Sequence, residues 1–150
     1  MANNLAALPL IVVLISSPAR AVLGELESSV STDQQALHGS HKEETREGYK
    51  VHQITGADGS VVKEFVSPGG LVFEISWQAR QVPNLQQLLG ANMAELQTAL
   101  QSKPHRHGRG ALIVRTDKLV FVSGGHMRSF HGYAYVPSLV PSNVSPEAVQ

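Results

Sequence analysis

The sequence predicts an α+β domain: a mostly antiparallel sheet in β3–α–β3 order, with one amphipathic helix packed on it. Three observations carry that prediction. Between Tyr49 and Gln78, three apolar runs are separated by the turn-forming stretches GADG (56–59) and PGG (68–70). From Leu85 to Leu100, leucines recur at helical spacing. Beyond them, ALIVRT and KLVFVS flank a turn at Thr116, Asp117 and Lys118, and the chain runs on through GGHMRSFHGYAYV.

The N-terminus reads as an address. Leu5 to Ile15 is apolar apart from Pro9, and a bilayer span needs about 20 such residues. Ala19-Arg20-Ala21 has the small-x-small form of a cleavage site. Residues 1–21 are therefore expected to be a signal peptide cut after Ala21. The product is expected to be periplasmic or secreted, with no transmembrane segment left.

Residues 22–48 are polar and read as an extended or loop-like lead-in to a compact domain over 49–136. Ser31 or Thr32 is placed to cap a short helix through Asp33–Leu37, because a hydroxyl there accepts an early helical N–H. His38 and His41 sit among charges and read as solvated loop.

YKVHQIT, SVVKEFVS and LVFEISWQ are the three strands of a meander. In the third, Leu71, Phe73, Ile75 and Trp77 alternate with Val72, Glu74, Ser76 and Gln78, a period of two with one buried face. Asn84, after Pro83, starts the helical region. Leu85, Leu88, Leu89, Met93, Leu96 and Leu100 form its core stripe. Gly90 leaves two forms open: one helix, or a turn through Leu89 followed by a helix from about Ala91 to Ser102. KPHRHGRG (103–110) is a loop and the next two runs form a hairpin. Pro137, Pro141 and Pro146 make residues 137–150 an irregular surface tail.

The totals exclude several function classes. Twelve basic and twelve acidic residues cancel, which argues against the basic footprint of a nucleic-acid binder. There is no cysteine, so disulfides, thiolate catalysis and zinc–thiolate sites are ruled out. G-x-S-x-G, H-E-x-x-H, Walker A and G-x-G-x-x-G are absent. Ser60 and Lys63 match S-x-x-K, but on a strand those positions face opposite ways. No catalytic residue and no cofactor is assigned.

Histidines give the metal candidates. His105 and His107 point to one side of an extended chain, but Lys103, Arg106 and Arg109 make that loop basic. A cysteine-free site also needs three or four nitrogen or oxygen ligands. His126 and His131 are five apart, on opposite faces of a strand, and meet only if Gly125 or Gly132 bends the chain. Met127 beside them is a soft ligand, and His52 is a further candidate.

The segment GGHMRSFHGYAYVP (124–137) is the expected binding surface. Extended, it sets Met127, Ser129, His131, Tyr133 and Tyr135 on one face and Arg128, Phe130, Gly132, Ala134 and Val136 on the other. The candidate binding residues are His126, Arg128, His131, Tyr133 and Tyr135, with Trp77 or Tyr49 nearby. Arg128 is expected to pair with Glu64 or Glu74. The expected function is a non-enzymatic binding or accessory domain for a protein or small-molecule ligand. A histidine-based metal-binding accessory protein is the alternative.

The chain also resembles a family of exported bacterial proteins, the domain-of-unknown-function family 2844 (DUF2844). The likeness runs through ARAVLGE, SVSTDQQAL, YKVHQIT, GSVVKEFVSPGGLVFEISWQ, PNLQQLLG, RGALIV and SGGHMRSFHGYAYVPSLVP. VSPGGLVFEISWQ and GGHMRSFHGYAYVPSL are its most specific pieces; KPHRHGRG and His131 depart from it. The resemblance implies export and a compact domain. It carries no activity, substrate or catalytic residue.

Overall fold

A computed structural model describes residues 23–102 and 110–146. The expected signal peptide (1–21), His105 and His107 lie outside the described residues. The rest builds one seven-stranded sheet with short helices: α1 (Val30–Ala36), β1 (Ser40–Arg46), β2 (Tyr49–Thr55), β3 (Val61–Val66), β4 (Val72–Ala79), α2 (Leu85–Leu89), α3 (Asn92–Gln101), β5 (Leu112–Arg115), β6 (Val120–His126) and β7 (Ser129–Tyr135). The spatial order is β1-β2-β3-β4-β7-β6-β5, with every neighbouring pair antiparallel.

The β3–α–β3 order is not found, because four strands precede the helices. The additional strand is β1, in the stretch expected to be lead-in. All seven of its residues are exposed. A charged edge strand (SHKEETR) therefore shows no period-two pattern, and such charge guards an edge against further pairing.

The meander β2–β3–β4 follows its turn signals. Gly59 takes φ +80° in the first turn, a region open to glycine at little cost. The helical stripe breaks at Gly90 into α2 and α3. The Asn84 side chain caps α2 by accepting from the Gln87 N–H. Ser31 and Thr32 lie inside α1 instead of capping it; Ser29 is its N-cap and makes no side-chain cap bond.

Two layers of apolar contact cover the sheet, one on each face. On the first face Val62, Val66, Val72, Ile75, Trp77, Phe121 and Ala134 pack with Leu88, Leu89, Leu96 and Ala99 of the helices. On the second, Val51, Phe65 and Phe73 pack under Tyr49, Leu139, Val140 and Val144. The single buried face expected for β4 is thereby corrected. The register shifts so that Phe65 pairs with Glu74 and Val66 with Val72, which leaves Phe73 as an extra residue. That bulge sets Phe73 with Val51 and Phe65, apart from Ile75 and Trp77. Residues 137–146 are likewise more than surface tail, because their apolar side chains close the second layer.

No helix among the described residues is long and apolar enough to cross a membrane.

Candidate functional site

The second face of the sheet is covered only at one end. Beyond the Tyr49–Phe65–Phe73 cluster, the register lays two rows of side chains across it. One runs Lys42, Gln53, Lys63, Ser76, Tyr133, Val122, Ile113. The next runs Ser40, Thr55, Val61, Gln78, His131, Gly124. Lys42, Gln78 and His131 are exposed, and Lys63, Ser76 and Tyr133 partly so. Neither row contains an aspartate or glutamate. Tyr133 and Tyr135 lie parallel, with ring centroids 6.4 Å apart. His131, Tyr133 and Tyr135 thus share one face of β7, as the alternation predicts.

The other expected binding residues are dispersed. Trp77 is 4% exposed and points into the opposite layer against Phe121. It lies over Gly132, where a Cβ would collide with the indole ring and the Val122 carbonyl. Arg128 sits in the β6–β7 turn with φ +65° and reaches neither Glu64 nor Glu74, whose oxygens meet no donor. His126 pairs with Ser129 and His131 with Gly124, so the turn returns both histidines to one face, two residues apart along it. The opposite-face expectation for this pair is corrected. Among the described residues neither belongs to a group of three ligating side chains.

A second arrangement lies at the other end of the sheet, where the sequence reads as loop at His41 and as strand at His52. β1 and β2 bring His41 beside His52. The His41 Nε2 to His52 Nδ1 distance is 2.9 Å, and the ring planes are within 8° of parallel. His52, only 4% exposed, places its Nε2 3.1 Å from Glu27 Oε1. Lys50 donates to the same oxygen at 2.8 Å and lies 3.7 Å from Glu43. The Lys50 bond holds the Glu27 carboxyl below the usual carboxylate range, and Glu27 in turn raises the Lys50 ammonium. A groove of about 480 Å³ opens beside this chain, with Glu27, Ser31, Gln34, His41 and His52 in its lining.

A carboxylate behind an imidazole is how a general base is oriented. Here the next group is a second imidazole instead of a hydroxyl or thiol. Of this cluster the sequence singled out His52, as a metal candidate. Nothing local connects it to Glu27 or His41.

Three more carboxyl groups are buried. Glu74 is fully buried, neither of its oxygens meets a donor, and burial pushes its pKa up to about 8. Glu64 is also raised, first by burial and then by the carboxyl of Asp33 opposite it. Asp33 accepts from Gln87 Nε2 at 2.9 Å.

Residues 19–149 match the family described as protein of unknown function (DUF2844), and the chain belongs to that family. No curated protein and no solved structure matches it.

Proposed function

We propose that the protein is an exported, non-enzymatic binding domain that docks a protein partner on the open rows of its sheet. The observation that carries this reading is the alignment of His131 and Tyr133 with Gln78, Ser76 and Lys63 on one face, without a carboxylate among them. Tyrosines supply large contact area at little conformational cost and are enriched where proteins bind. Small ligands favour concave sites, and the groove described above includes none of these residues. Lys42, Lys63 and the absence of acids favour a partner surface rich in carboxylates.

Export rests on the signal-like residues 1–21 and on the family. It is tested by the mass of the protein recovered from exporting cells, which is expected to begin at Val22. Docking is tested by placing a photocrosslinking residue at Tyr133, with Gln35 on α1 as the control site. A single adduct at position 133, lost in a Lys63→Glu background, supports the reading. Equal labelling at both positions, or an adduct indifferent to Lys63→Glu, overturns it.

A further inference from the structure

We infer that His41 and His52 form a binding site for a divalent transition-metal cation of the copper(II) and zinc class. The geometry points there through three relations. First, the facing nitrogens of His41 and His52 lie 2.9 Å apart, head to head in a hydrogen bond; two ligands about 2.0–2.1 Å from one ion and at right angles are about 3 Å apart, so a swing of the exposed His41 ring off that line lets both nitrogens reach one ion. They sit on neighbouring antiparallel strands, where His41 pairs with Ile54 and His52 with Glu43, so the register itself sets the spacing.

Second, the rear nitrogen of His52 is held. Its Nε2–H donates to Glu27 at 3.1 Å, which leaves Nδ1 as the lone-pair nitrogen facing His41. A carboxylate behind a metal-binding imidazole fixes its tautomer and raises its basicity. His41 then donates from Nε2. On metal binding that proton moves to Nδ1 and Nε2 becomes the ligand.

Third, the competing seat is taken. Glu27, Glu43 and His52 also present ligand atoms within 4.8 Å of one another. The Lys50 ammonium already contacts both carboxylates there. A cation is therefore directed to the Nδ1 side of His52, away from Lys50. That side opens on the groove, which gives water room to complete the coordination sphere. Imidazole suits copper(II) and zinc, and copper(II) binds more tightly of the two. The site is independent of the open sheet face, because His52 and Tyr133 stand on opposite faces.

The test is calorimetric titration of the purified protein with copper(II), paired with electron paramagnetic resonance. One copper per chain with two equatorial nitrogens is expected. His41→Ala, at an exposed position on the edge strand, is expected to weaken binding at least tenfold while leaving the melting temperature in place. The His105→Ala/His107→Ala double variant and His126→Ala are expected to retain the site. Unchanged affinity in His41→Ala overturns the inference. So does loss of copper with the His105/His107 double variant, which would mark the basic loop as the binding element.

Discussion

Asp33 on α1 and Glu64 on β3 meet carboxyl to carboxyl inside the core, each 1% exposed. Gln87 donates to Asp33, while no N–H faces either oxygen of Glu64. Two carboxylates cannot both be ionised at such a place, so the pair holds together by sharing a proton. The contact ties α1 to the sheet, and its strength depends on that proton.

Asp33→Asn replaces the shared proton with an amide donor. The amide introduced there keeps an acceptor for Gln87 and gives Glu64 an N–H. The variant is expected to be close to the parent at pH 5 and more stable by about 1–3 kcal/mol at pH 8, where an unmet buried acceptor is costly. Urea unfolding at the two pH values measures it. Equal differences at both would show that no proton is shared.

Glu74 adds to the pH dependence of stability with a defined sign. Its folded pKa, about 8, lies above the ordinary glutamate value of 4.5. Below 4.5 both folded and unfolded chains hold the proton, so nothing is lost. Between 4.5 and about 8 only the folded chain holds it, so stability falls as pH rises, by roughly 1.4 kcal/mol per unit. The melting temperature is expected to be higher at pH 5 than at pH 8. Glu74→Gln, which cannot ionise, is expected to reduce that slope and leave the part that Glu64, also raised to about 8, contributes. A parallel slope in the variant would remove Glu74 as its cause.

Gly132→Ala tests the seating of Trp77. A methyl group at position 132 would run into the indole ring and the Val122 carbonyl. Overpacking of this kind costs about 1–3 kcal/mol. Chemical denaturation is expected to show that loss, together with a shift in Trp77 fluorescence, since it is the chain's one tryptophan.

Leu139→Ala tests whether residues 137–146 belong to the fold. Leu139 packs on the cluster of Val51, Phe65 and Phe73. Because it is only partly buried, the loss is expected at about 1–2 kcal/mol, below the usual range for a fully buried leucine. Limited proteolysis is expected to cut the C-terminal segment sooner in the variant. A tail that merely lies on the surface would show neither change.

Much of the fold was legible in local pattern. The turn glycines and alternating apolar residues of 49–79 mark β2, β3 and β4, and the leucine spacing marks α2 and α3. Gly90 allowed for the break between them. The alternation over 129–135 placed His131, Tyr133 and Tyr135 on one face. β1 was not legible, because its seven exposed residues bury nothing that a period could report. Trp77 looked like a binding residue beside the tyrosines, but strand pairing sets it on the other face, over Gly132. The histidine pairs that drew notice, His105 with His107 and His126 with His131, were grouped along the chain, with His52 named singly. The pair that does meet, His41 and His52, is joined by strand register and then to Glu27 across the sheet.

Residue type and spacing along the chain were enough to mark most of the strands and helices, to rule out disulfides and thiolates, and to place the chain in its family. Packing in three dimensions settled the rest: that β4 lies beside β7, that Glu64 faces Asp33, that Glu74 is sealed without a donor, and that His52 stands between His41 and Glu27. Those contacts join residues far apart in the chain. They come from burying two sheet faces at once and from a bulge at Phe73, and a local hydrophobic period carries no information about which distant strand fills the other side.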